Sequence, residues 1–170
     1  MRILGIDPGY AILGWGVVDY RAGRYRLVDC GALTTGKEMP MPARLKALYA
    51  GLADVIGMFL PEAAAVEELF FNSNAKTAIH VGEARGAAIL ACANLGVEVY
   101  EYTPLQIKQA LSGYGRATKE QMQELVRSVL GLEKAPRPDD VADAVAAAIC
   151  HANSSGALNR IERATGVRMR

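Results

Sequence analysis

Apolar residues in the first third of the chain fall into short runs separated by turn residues, a pattern typical of β-strands. It predicts strands over 2–7, 12–19 and 24–33, with turns at Gly9 and at Ala22-Gly23. Because short turns join these runs one after another, we expect the three strands to pair as an antiparallel meander.

The period then changes to that of a helix. Apolar side chains recur every three or four residues before Pro61, which is expected to end the helix. The alanine-rich run 62–68 is short and lies between two helical patterns, so we interpret it as a buried strand. A long helix is predicted over 75–94, with Asn74 as its cap, and a fifth strand over 97–102.

Three helix starts follow the last strand. Thr103 and Thr118 are each followed, three residues on, by a glutamine that can close a capping box. Asp139 opens an alanine-rich helix that is expected to reach about Asn153. Strands that alternate with helices in this order predict an α/β fold, with a mixed five-stranded sheet flanked by helices.

Composition is that of one folded domain. The 170 residues are 51% hydrophobic and 22% charged, which excludes a disordered or collagen-like chain. We expect a single α/β domain over 1–156. The remaining residues, 157–170, are arginine-rich and are expected to form a basic, mobile tail.

Charge and cysteine content bear on location. The net charge of +1 rules out a uniformly cationic surface but leaves room for a local basic patch. The three cysteines are widely spaced and odd in number, which indicates a reducing compartment and no disulfide framework. Asp7 interrupts any signal-peptide core, and no apolar run approaches the roughly 20 residues of a membrane helix. We therefore expect a cytoplasmic protein with no membrane partner.

Several carboxylates stand where burial makes them costly. Asp7 ends one apolar strand, Glu67 and Glu68 end another, and Asp140 and Asp143 share one helix face. Oxygen ligands from two strand ends and one helix start suit Mg²⁺ or Mn²⁺. Two such ions about 3.5–4 Å apart can activate a water and stabilise the leaving oxygen in phosphodiester cleavage.

Structural roles also explain these acids. The helix dipole favours acids in a first turn, and Asp139 can serve as an N-cap. Asp7 precedes Pro8-Gly9 and can simply start a turn. The two histidines, His80 and His151, are expected to be structural or exposed. Spacing alone supports a divalent-metal site as one hypothesis among these.

An ordered set of motifs extends along nearly the whole chain. It comprises Gly5-Ile6-Asp7-Pro8-Gly9, Val66-Glu67-Glu68-Leu69-Phe70, Gly82-Glu83-Ala84-Arg85-Gly86, Ile107-Lys108-Gln109 and Asp140-Val141-Ala142-Asp143-Ala144. With this set the chain, from Met1 to about His151, resembles the RuvC family of bacterial Holliday-junction resolvases, which are RNase H-like nucleases. The resemblance implies an RNase H-like fold. It assigns the catalytic, metal-holding role to Asp7, Glu67, Asp140 and Asp143, and it leaves Asp139 free to cap.

The resemblance also implies an activity and partners. A nuclease of this family cuts four-way DNA junctions symmetrically in recombination and repair, leaving 5′-phosphate and 3′-hydroxyl ends. The implied cofactor is Mg²⁺, two ions per active site, with Mn²⁺ as a substitute. A homodimer would match the two-fold symmetry of the junction, and the RuvA–RuvB branch-migration complex is the implied protein partner.

Candidate DNA contacts lie outside the acids. The resemblance implies stacking on bases for Phe70 and phosphate contact for Lys108 and Lys119, and Arg116 lies in the glycine-rich loop between the two lysines. Phe70 can instead staple the following helix, and each basic residue alone is also typical of a solvated surface. Small residues make the helix 75–94 a candidate dimer interface, although internal packing explains them equally well.

Three other functions fit parts of the pattern. An actin-like ATPase or sugar kinase also carries an apolar strand ending in Asp and Gly, but it needs two such lobes. A non-catalytic junction-binding module would keep the fold and lack a carboxylate, and all four are present. A related RNase H-like nuclease with another nucleic-acid substrate is the third, and the Phe70 loop and the segment 108–119 argue against it.

Overall fold

The computed structural model describes the backbone of residues 1–68 and 75–165, and the side chains of 1–68 and 78–156. Phe70 and the expected cap Asn74 therefore lie outside the described residues. The elements follow the predicted order. They are β1 (Arg2–Asp7), β2 (Ile12–Arg21), β3 (Arg24–Thr34), α1 (Met41–Phe59), β4 (Ala63–Glu67), α2 (Ala75–Asn94), β5 (Glu98–Tyr102), α3 (Pro104–Ser112), α4 (Lys119–Val129) and α5 (Asp139–Thr165).

The five strands form one mixed sheet in the order β3-β2-β1-β4-β5. The first three strands pair antiparallel, as the short turns predicted. β4 pairs parallel with β1, and β5 pairs parallel with β4, each after a helical connection. The predicted five-stranded mixed sheet with flanking helices is confirmed.

Helices cover both faces of the sheet, and strand alternation decides which side chains each layer receives. On one face Leu4 and Ile6 of β1 pack with apolar residues of α1 and α2. On the other face Ile3 packs beneath α5, which is flanked by α3 and α4. Gly5 and Asp7 have the same parity as Ile3, so they face α5.

Glycines let α5 approach the sheet more closely than side chains would allow. A Cβ on Gly5 would lie 1.8 Å from the carbonyl oxygen of Ala144, and one on Gly14 would lie 2.0 Å from that of Asp140. Gly16, opposite Gly5 in the ladder, accepts the side chain of Val145 in the same way. The first turns of α5 therefore rest directly on the backbones of β1 and β2.

The last helix is longer than the sequence indicated. Its expected end at about Asn153 is wrong, because α5 continues to Thr165 through part of the segment assigned to the tail. Gly156, which would weaken a free helix, lies where a Cβ would contact the hydroxyl of Tyr20 at 3.0 Å, so packing holds the backbone there. The residues after it are mostly good helix formers. The mobility of 157–170 stays a prediction.

No helix in the described part of the chain is long and apolar enough to span a membrane.

We expect Gly14→Ala to lower the free energy of unfolding by about 2–3 kcal/mol, because its methyl group would overlap the first turn of α5. Gly57→Ala is the matched control, since its Cβ would meet no atom within 4 Å and α1 should gain up to about 1 kcal/mol. Urea denaturation measures both. Equal effects at the two positions would contradict the close approach described here.

Candidate active site

Strand parity brings two acids to the face beneath α5. Asp7 ends β1 with the same parity as Gly5, and Glu67 ends β4 with the same parity as Ala65, which packs with α5. Since β1 and β4 run parallel, their carboxyl ends meet at one edge of the sheet. Both sequence-predicted strand acids therefore lie at the same edge and on the same face.

The start of α5 adds two further acids. Across the β1–β2 ladder Asp7 pairs with Gly14, and the missing side chain of Gly14 makes room for the backbone of Asp140. Asp140 and Asp143 are three residues apart on the first turn of the helix, so they point toward the same region. The four acids predicted from the sequence are thus gathered at one place.

Burial and mutual repulsion make ionisation of Asp7, Glu67 and Asp143 costly. Burial first, and then the charges of Glu67, Asp143 and Asp140, raise the pKa of Asp7 to about 8. Burial and the charge of Asp143 raise the pKa of Glu67 to about 7. Burial also raises the pKa of Asp143, although Lys119 opposes the shift. The site is therefore an acidic cluster that favours a cationic occupant.

Two lysines from the neighbouring helices face the acids. Lys119 Nζ lies 3.5 Å from Asp143 Oδ2, and the charges of Lys119 and Lys108 both lower the pKa of Glu67. The capping box at Thr118 fixes the start of α4, so Lys119 is the first helical residue after a well-defined turn. Lys108 lies on α3, whose Ile107 is buried against α5. Two of the three predicted basic residues therefore lie beside the acids.

The donor chemistry fits a hard divalent cation. The four acids offer only carboxylate oxygens, the ligands that Mg²⁺ and Mn²⁺ prefer. Among the described residues, no three His, Cys, Asp or Glu side chains are already drawn together closely enough to hold an ion.

Asp139 does not have the role that the sequence suggested. It is the first residue of α5, and its carboxylate accepts hydrogen bonds from the side chains of Gln123 and Arg137 and pairs with Lys119. The expectation that Asp139 caps the helix is therefore wrong. A free N-cap would bind the backbone N–H groups of its own helix, whereas here α4 and Arg137 supply stronger or better-placed donors.

Four other candidate residues were considered from the sequence: Arg116, Phe70, His151 and His80. Arg116 is exposed in the loop between α3 and α4, and Phe70 lies outside the described residues. His151 is buried, and its ring Nδ1 lies 2.8 Å from the hydroxyl of Tyr102, consistent with a structural role. His80 is part-exposed and contacts Glu83. The DNA roles of Phe70 and Arg116 stay predictions.

Sequence reasoning missed the residues that brace the turn after Asp7. The buried Arg44 of α1 donates to the carbonyl of Tyr10, and its guanidinium lies 3.7 Å from the centroid of the Tyr10 ring. Arg44 also donates to the hydroxyl of Thr35, which in turn donates to the Tyr10 carbonyl. No local pattern in the sequence marks an arginine of α1 as a partner of this turn.

Comparisons with known proteins agree on one family. The family model described as crossover junction endodeoxyribonuclease RuvC matches residues 3–151. A relative of that name from Chloroflexus aggregans is 59% identical over 160 residues, which cover 94% of this chain and 98% of the relative. Another from Caldanaerobacter subterraneus subsp. tengcongensis is 54% identical over 161 residues, covering 95% and 98%.

Solved structures give the same result. The structure of Thermus thermophilus RuvC superposes with a TM-score of 0.85 at 42% identity, covering 92% of this chain and 96% of that one. The T. thermophilus RuvC described as in complex with Holliday junction substrate has a TM-score of 0.85 at 40% identity, with the same coverage. A yeast mitochondrial Holliday junction resolvase, at 13% identity and a TM-score of 0.72, shares the fold alone. The RNase H-like fold is confirmed.

We expect Asp7→Asn to raise the free energy of unfolding by about 2 kcal/mol at about pH 8.5 in chelator. Between about pH 4 and pH 8 the Asp7 carboxyl is protonated in the folded state and ionised in the unfolded state, so wild-type stability falls as pH rises through this window. The asparagine variant lacks that penalty. Below about pH 4 both states of the wild type are protonated, and the advantage should disappear.

Denaturation at about pH 4 and about pH 8.5 measures the effect. Mg²⁺ should raise the melting temperature of the wild type and not that of Asp7→Asn, because the variant lacks one ligand. Asp54→Asn, an exposed acid on α1 at the opposite face of the sheet, is the control and should respond to Mg²⁺ as the wild type does. A less stable Asp7→Asn at the higher pH would count against an electrostatically strained site.

Proposed function

The chain belongs to the RuvC family of crossover junction endodeoxyribonucleases, and from that premise we propose that it resolves Holliday junctions in DNA recombination and repair. The observation that carries the proposal is the gathering of four carboxylates and two lysines at one edge of an RNase H-like sheet. An acidic cluster beside basic groups suits hydrolysis of a phosphodiester, whose phosphate the lysines attract.

Nucleases of this family are metal-dependent. We propose that Asp7, Glu67, Asp140 and Asp143 hold two Mg²⁺ ions, for which Mn²⁺ can substitute. Ions bound there supply an activated water and neutralise charge on the leaving oxygen, giving 5′-phosphate and 3′-hydroxyl ends. The elevated pKa of Asp7 and of Glu67 supports this assignment, because a divalent cation would stabilise the ionised form of both acids and so oppose both shifts.

Lys119 and Lys108 have separate roles in this proposal. Lys119, close to Asp143, stabilises the negative charge that develops on the phosphate during cleavage. Lys108 and the exposed Arg116 neutralise DNA phosphates beside the acids. Phe70 follows β4 by a few residues in the chain and would stack on a base near the junction centre.

We propose that the protein acts as a homodimer through α2. One face of this helix packs inside the protein, where Ala84 and Ala88 are fully buried. Another face leaves Ile79 61% and Leu90 53% exposed, with open space at Gly86 between them. An apolar face with a small residue at its centre permits close helix packing, and a two-fold dimer would present two active sites to a two-fold symmetric junction.

The wider setting is also a proposal. The substrate is chromosomal DNA, and the curated relatives are bacterial, which supports a cytoplasmic location. Partnership with the RuvA–RuvB branch-migration complex follows from family membership, because a resolvase acts on junctions that branch migration moves.

Cleavage of a synthetic four-way junction tests the function. With Mg²⁺ or Mn²⁺ we expect paired nicks at symmetric positions, which DNA ligase seals because the ends are 5′-phosphate and 3′-hydroxyl. A linear duplex of the same sequence, and junction in chelator, should stay uncut. Junction binding without cutting in either metal would identify a non-catalytic module. Equal cutting of the duplex would identify a nuclease with another substrate.

Leu90→Glu tests the dimer. A charge buried in an apolar interface is costly, so we expect the dissociation constant of the dimer to rise at least about a hundredfold. Analytical ultracentrifugation measures it. Met58→Glu, which changes an apolar residue of α1 that is 73% exposed, is the control and should leave the dimer intact. An unchanged dimer in Leu90→Glu would mean that another surface forms the interface.

A further inference from the structure

Lys119 lies between two acids with different roles. Its Nζ is 3.4 Å from Asp139 Oδ2 and 3.5 Å from Asp143 Oδ2. Asp143 belongs to the set of four acids proposed to hold metal, whereas Asp139 does not. Asp139 precedes Asp140 in the chain, and its carboxylate contacts Lys119 and Gln123 of α4.

The other oxygen of Asp139 is fixed in place. Oδ1 accepts a hydrogen bond of 2.9 Å from Gln123 Nε2 and one of 2.6 Å from Arg137 Nη1. Two donors on one oxygen restrict rotation of the carboxylate, so Oδ2 stays directed at Lys119. Gln123 is buried on α4, one turn beyond Lys119, so the same helix carries both the lysine and a donor that orients its partner.

Stability alone does not explain this arrangement. Lys119 is 52% and Asp139 41% exposed, and ion pairs at such exposure contribute little to stability. A lysine side chain has many rotamers, however, so a fixed anion beside it favours those that place the ammonium near that anion. The contact therefore contributes mainly by orienting the Lys119 ammonium.

We propose that Asp139 is a positioning residue for cleavage, which holds the Lys119 ammonium beside the clustered acids. The proposal rests on the proposed function. When Asp143 holds a cation, its charge is shared with that cation and attracts Lys119 less. Asp139 then remains the acid whose free oxygen keeps Lys119 beside the scissile phosphate.

Asp139→Asn distinguishes an orienting role of Asp139 from a role that depends only on its negative charge. Removing a negative charge beside DNA should leave junction affinity unchanged or tighten it. If Asp139 orients Lys119, the single-turnover cleavage rate at saturating protein should nevertheless fall about tenfold, because a misplaced catalytic charge loses its effect. A rate equal to or above the wild-type rate overturns the proposal.

A double substitution tests whether the effect passes through Lys119. In a Lys119→Ala background, Asp139→Asn should cause no further loss of single-turnover rate, since no lysine is left to orient. A further tenfold loss would mean that Asp139 acts independently of Lys119, and the proposal would be wrong. Asp139→Glu, which keeps the charge, should restore part of the rate that Asp139→Asn loses.

Controls separate orientation from folding and from charge. Glu124→Gln makes the same change of charge on α4, where Glu124 pairs with Arg127 at 2.5 Å, and it should cut at the wild-type rate. Thermal unfolding of each variant confirms the fold. If Asp139→Asn does not fold, Arg137→Gln carries the test, since it removes one donor from Oδ1, and a rate loss of about threefold is expected. A wild-type Arg137→Gln rate would then overturn the proposal.

Failure of the two proposals is distinguishable. If the wild type cuts no junction in either metal, the proposed function is wrong and the role of Asp139 is overturned with it. If the wild type cuts junctions and the Asp139 variants cut equally well, only the positioning role is overturned.

Discussion

The close approach of α5 to β1 and β2 determines the geometry of the active site. Gly5 and Gly14 allow helix backbone to lie where a Cβ would otherwise stand. That contact sets the height of α5 above the sheet, and it therefore sets the distance from Asp140 and Asp143 to the strand acids. A helix held one side chain further out would leave Asp7 and Glu67 without the helical half of the site. The constraint lies in the backbone, so it is rigid before any ligand binds.

This rigidity has an electrostatic cost. Asp7 and Glu67 are half-buried and lie near other acids, and both conditions oppose ionisation, as the high pKa of Asp7 and of Glu67 records. Lys119 and Lys108 offset part of that repulsion. Clustering of the acids lowers the stability of the protein. The apolar cores on the two faces of the sheet offset that cost. Cation binding is favoured because a bound cation would reduce the repulsion among the acids that destabilises the site without cations.

Local signals account for what the sequence predicted well. Strand alternation, helical period and capping boxes act within a few residues, and so the elements, the sheet and the starts of α3 and α4 were predictable. The four acids were identified from the order of the family motifs along the chain, which is specific, whereas the spacing of the acids alone is not. The contacts of Asp139, the extension of α5 and the bracing of Tyr10 by Arg44 depend on partners from distant elements. Tertiary packing decides such features, and no short pattern reports them.

The site positions its charged groups in two different ways. Asp140 and Asp143 are short side chains on a helix whose backbone is fixed by glycine contacts, so they need little further support. Lys119 is a long side chain, and a capping box fixes only its Cα. Its charge would be spread over several rotamers unless a second group selected one. A carboxylate that is itself held by Gln123 and Arg137 provides that selection, because an anion with one free oxygen specifies a direction as well as an attraction.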